Sequence, residues 1–125
     1  MLEFHKSYSD SKKILDELLV GNGVVVFRDV YPIDQINEAR EIVNKFADNQ
    51  EQKETHFNAE AEEAGTIHLQ QRVWNLFGKA KVFSALITHD IIFDLMTKFL
   101  GTEFICGSYC ASRLLPGAAG QEPHI

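Results

Sequence analysis

The sequence predicts an α+β fold. Three observations lead there. Apolar residues recur at helical spacing in several segments of the first hundred residues. A short β-branched run, "VVVF", sits between turn residues at Val24–Phe27. The closing stretch "EFICGSYCASRLLPG" alternates like a strand, so a helix-rich first part leads into strands.

Taken in order, the first helix is expected from Ser11 to Val20. Ile14, Leu15, Leu18 and Leu19 form its stripe, Ser9 or Asp10 can cap it, and Gly21 or Gly23 can stop it. Val24–Phe27 then reads as a buried strand. Pro32 suits the opening of a second helix, on which Ile33, Ile36, Ala39, Val43 and Phe46 recur at helical spacing. The segment 47–66 is acidic and lacks branched aliphatics. It reads as a long exposed connection inside one domain spanning 1–125.

Beyond it, "TIHLQQRVWNLF" reads as strand or extended chain. A third helical zone covers Lys81–Thr88. A fourth starts behind Asp90, a good cap, and stops at Gly101. In the final stretch Phe104, Cys106, Ser108, Cys110, Ser112 and Leu114 would share one strand face, and Pro116-Gly117 would end it. So few strands cannot close a sheet. Their open edges are a liability that self-association into a dimer would cover.

Bulk properties narrow the function classes. Of the 125 residues 45% are hydrophobic, enough for a core. The net charge is −6 and the cationic residues are scattered, which disfavours a nucleic-acid or anionic-membrane surface. No apolar run approaches the ~20 residues of a membrane helix, and the opening "MLEFHKSYSD" is not a secretory signal. Cys106 and Cys110 fit thiols in a reducing cytoplasm and read as small buried residues.

Several residues invite a sharper reading than they support. Trp74, Phe77 and Phe83 read as core before substrate-stacking groups. Arg113 reads as a surface or ion-pair residue. His56, His68, Glu60, Glu62 and Glu63 match no zinc spacing and read as a solvated acidic loop. His89-Asp90 reads as a helix cap.

The ordered segments "GNGVVVFRDVYPIDQINEAREIV", "RVWNLF", a helix ending "FLG", a "GS" strand and "PGAxxQxxH" together resemble the phytanoyl-CoA dioxygenase family, over roughly Leu15–Ile125. The resemblance implies an iron(II)- and 2-oxoglutarate-dependent oxygenase on a jelly-roll, or double-stranded β-helix, with a small-molecule substrate. It places His124 on the first metal-ligand position of a His-x-Asp motif. It also places Gln121 and Asn75 near the cosubstrate pocket. Both have plain alternatives: Gln121 as a solvated loop residue, and Asn75 satisfying backbone groups at a strand end.

Two imidazoles and a carboxylate hold one face of octahedral iron and leave the other open for cosubstrate and dioxygen. In this sequence the aspartate and second histidine of that set do not follow His124 and Ile125. The expectation is therefore the N-terminal portion of such an enzyme, cut inside the metal motif, with iron and 2-oxoglutarate as cofactors of the complete protein and bound poorly by this chain alone. The alternative is a non-catalytic α+β binding or oligomerisation module derived from the same family.

Overall fold

The computed structural model describes residues 2–5, 10–49 and 59–120. They form a mixed helix and strand fold. In chain order it contains β1 (Leu2–His5), α1 (Ser11–Leu19), β2 (Val25–Arg28), α2 (Ile33–Asp48), α3 (Ala59–Glu63), β3 (Gln70–Val73), α4 (Lys81–Ile87), α5 (Asp90–Leu100) and β4 (Ala111–Leu114). Single 3-10 turns at Ile67–Leu69 and Leu76–Gly78 flank β3. The residues fall into two compact units, one of Met1–Glu38 with Lys81–Gly107 and one of Ala39–Ala80 with Ser108–Ile125.

In the first unit, β1 runs parallel to β2, with Leu2 opposite Val25 and His5 opposite Arg28. Sequence periodicity does not reveal β1. The strand expected at Val24–Phe27 lies one residue later and is half-buried rather than buried, with Val24 exposed. Its last residue, Arg28, forks onto the Glu3 carboxylate at 2.7 and 3.0 Å. Asp29 follows at φ 56, a left-handed turn that a short polar side chain tolerates.

The core of this unit is Phe4, Ile14 and Leu95. Leu15, Leu18, Val25, Phe27, Ile91 and Met96 pack against it. The α1 stripe thus buries Ile14 inward, as its spacing requires. Asp10 caps α1 by accepting from the Lys13 amide. Ser11, on the first turn of α1, donates to Asp94 of α5 at 2.8 Å. Lys98, one turn on, donates to both at 2.6 and 2.7 Å. That triangle ties the start of α1 to α5. α5 begins one residue earlier than the sequence suggests, because His89 is the cap. Its Nδ1 accepts from the Ile91 amide, and Asp90 is the first helical residue. Gly101, at φ 87, ends the helix as expected.

In the second unit, β3 runs antiparallel to β4, with Gln70 opposite Leu114 and Val73 opposite Ala111. The long strand expected over Phe104–Leu115 is ladder only at Ala111–Leu114, because β3 offers four residues for pairing. The preceding residues are irregular. Cys106 is exposed and Cys110 half-buried, which corrects their reading as buried.

The helix α2 runs where Pro32 suggests, but its expected stripe turns inward only in part. Ala39 and Ala47 are buried, while Ile33, Ile36 and Phe46 are exposed. The expected connection at 47–66 is shorter than its composition implies. Ala47 and Asp48 complete α2, and Ala59–Glu63 forms α3 around a fully buried Ala61. Among the described residues no helix is long and apolar enough to cross a membrane.

Candidate functional site

The β3–β4 ribbon leads directly into the segment singled out by its sequence. Gln70 opens β3 and is buried, and its Nε2 donates to the Ala119 carbonyl at 3.0 Å. The Leu115 amide donates to the Leu69 carbonyl, and the Ala118 amide closes the Pro116-Gly117 turn onto the Leu115 carbonyl. Gly117 sits at φ 88, a conformation that a β-carbon would strain. The chain thus reaches Gly120 pinned at two points, once to the turn before β3 at Leu69 and once to β3 at Gln70. Gln121 and His124, the expected cosubstrate and metal residues, lie outside the described residues, as does His56.

Asn75 is described. It is exposed and left-handed, at φ 52 and ψ 59. Its carbonyl accepts from the Gly78 amide, and its side chain makes no capping hydrogen bond. Its side-chain amide lies over Gly78, 2.9 Å from where a β-carbon there would stand. Asn75 therefore turns the chain out of β3, and Gly78 leaves room for it.

Arg113 on β4 anchors the ribbon's other side. Its Nε donates to Gln71 of β3 at 2.7 Å, and its Nη1 to Asn44 of α2 at 3.0 Å. Its Nη2 meets the Asp48 carboxylate. The ion-pair reading of Arg113 is the one its geometry realises. Spacing alone does not reveal the partners, because Asn44, Asp48 and Gln71 belong to two other elements.

The aromatics divide. Phe83 is 2% exposed and is core, as its type suggests. Trp74 and Phe77 are 42% and 45% exposed, which corrects their reading as core. The Arg72 guanidinium lies over the Trp74 ring at 5.2 Å, and Phe77 meets Tyr109 edge-on at 5.2 Å. The Lys79 ammonium lies 4.3 Å from the Phe46 ring centre. These cation and edge contacts place the rings on the surface of the second unit.

His68, Glu60, Glu62 and Glu63 are exposed, and among the described residues no group of three His, Cys, Asp or Glu stands where it could hold a metal ion. The described residues therefore do not build an iron site. In comparisons with known proteins, no family model, no curated protein and no solved structure matches this chain.

Proposed function

We propose that the chain supplies β3 and β4 as early strands of the jelly-roll of an iron(II)- and 2-oxoglutarate-dependent dioxygenase of the phytanoyl-CoA dioxygenase type. One observation carries the reading. The ribbon and its Pro116-Gly117 turn hold the chain at Leu115, Ala118 and Ala119, immediately before Gln121 and His124. A metal-ligating histidine needs such rigid support, because a ligand displaced by an ångström loses its geometry. Collinear "RVWNLF" and "PGAxxQxxH" supply the sequence side of the same argument.

In this reading His124 is one of three metal ligands, and Gln121 and Asn75 border the cosubstrate. The bound metal with 2-oxoglutarate supplies oxidative chemistry toward a small-molecule substrate. This chain's residues supply position: Gln70 holds Ala119, and Arg113 ties β4 to β3 and α2.

The test is to read the coding sequence past the Ile125 codon and assay the encoded protein for 2-oxoglutarate consumption. An aspartate codon next, a later histidine and turnover lost in His124→Ala support the reading. Neither ligand, or turnover untouched by His124→Ala, ends it.

A second reading has its own observation. Among the described residues each sheet holds two strands, β1 with β2 and β3 with β4. A non-catalytic module that pairs strand edges between two copies is the alternative. A monodisperse dimer that binds no iron(II) favours it.

A further inference from the structure

Asn22-Gly23 is the only asparagine in the chain followed by glycine. That dipeptide is where an asparagine side chain is most open to attack by the next backbone nitrogen, since glycine places no side chain in the way. Here it lies exposed in the turn between α1 and β2, with Gly23 at φ 73.

Glu17, on the last turns of α1, occupies this turn. One carboxylate oxygen accepts from Asn22 Nδ2 at 2.7 Å and from the Asn22 backbone amide at 3.3 Å. The Glu17 backbone carbonyl accepts from the Gly23 amide at 3.1 Å. Gly21 makes the arrangement possible: a β-carbon there would stand 2.6 Å from the Glu17 carboxylate and 2.8 Å from its carbonyl. Both the departing nitrogen and the attacking nitrogen are thus held by one residue. The hydrogen bond from Asn22 also holds the Glu17 carboxyl below its usual range, so the clamp is charged at neutral pH.

We propose that Asn22 is a site of spontaneous deamidation that Glu17 holds in check while α1 is folded. The Gly23 nitrogen bonds to Asn22 Cγ, the Cγ–Nδ2 bond breaks, and the amino group leaves as ammonia with the Gly23 amide proton. Water then opens the five-membered imide to aspartate or isoaspartate at position 22. Neither oxidant nor reductant is needed. The product sets a second carboxylate beside Glu17 at the negative end of the α1 dipole, which loosens the turn. The inference stands apart from the oxygenase reading.

The test incubates the full chain at mildly alkaline pH and follows the Ile14–Arg28 tryptic peptide by mass and by isoaspartate labelling. The folded chain is expected to deamidate several-fold more slowly than the same chain in urea. Glu17→Ala is expected to react about fivefold faster than wild type, the factor set by losing the hydrogen bond to the departing Nδ2. Asp16→Ala, which alters the same helix without touching the clamp, is expected to keep the wild-type rate, and Asn22→Gln to stay unmodified. If Glu17→Ala loses its helical signal, the comparison of folded and urea-treated wild type decides. Equal rates with and without urea, or a folded Glu17→Ala that reacts like wild type, overturns the proposal.

Discussion

Arg113 of β4 and Asp48 of α2 form a direct ion pair, 65 positions apart in the chain. The guanidinium also reaches Asn44 and Gln71, so one side chain joins β4, β3 and α2. Arg113→Ala is expected to destabilise the second unit by about 2 kcal/mol, through three lost acceptor contacts on a mostly buried side chain. Arg113→Lys is expected to recover less than half of that, because an ammonium cannot fork to three acceptors. Urea denaturation of the three proteins measures both values.

The α5 cap separates two neighbouring residues. His89→Ala is expected to cost about 1 kcal/mol, since the Ile91 amide loses its acceptor. Asp90→Ala is expected to cost less, because Asp90 is the first helical residue and accepts no capping bond. His89→Asp, a better cap, is expected to equal or exceed wild type. A larger loss at Asp90 than at His89 would return the cap to the position its residue type suggests.

Asp94 carries a pH dependence. Its carboxyl lies below the ordinary 3.8, first through the Lys98 hydrogen bond and then through that of Ser11. A carboxyl depressed in the folded state stabilises fully above its unfolded value. That contribution disappears as pH falls through the folded value, here below 3.8. The melting temperature of wild type is therefore expected to exceed that of Ser11→Ala at neutral pH. The gap should narrow as pH drops below the ordinary aspartate range. A gap that stays constant to strong acid would show that Asp94 is not its source.

Phe83 and Phe93 test burial against residue type. Phe83→Ala, at a nearly fully buried position, is expected to cost about 4 kcal/mol. Phe93 is half exposed and meets the Phe104 ring at a tilt of 56°, with ring centres 5.4 Å apart. Phe93→Ala is expected to cost about 1 kcal/mol. Chemical denaturation of each variant gives the comparison.

Helices α1, α4 and α5 were legible in the sequence within a residue or two, because apolar spacing, Asp10 and Gly101 are local signals. The antiparallel partner of β4, the parallel β1–β2 pair and the shortening of the last strand to Ala111–Leu114 were not. Each depends on which distant segment supplies a ladder, and alternation records only a strand's two faces. The inward face of α2 was legible only in part: Ala39 of the expected stripe is buried and Val43 half-buried, while the larger Ile33, Ile36 and Phe46 are exposed and Ala47 is buried instead.

For the candidate site, the resemblance to the phytanoyl-CoA dioxygenase family, not local sequence, singled out Asn75, Gln121 and His124. Only the tertiary structure assigned Asn75 to a left-handed turn over Gly78 and gave Arg113 its three partners. Helical period, the Asp10 cap and turn glycines act over a few residues, so the sequence alone determined them. Strand partners, burial and the reach of a guanidinium depend on segments brought together from far along the chain, and only folding decides those.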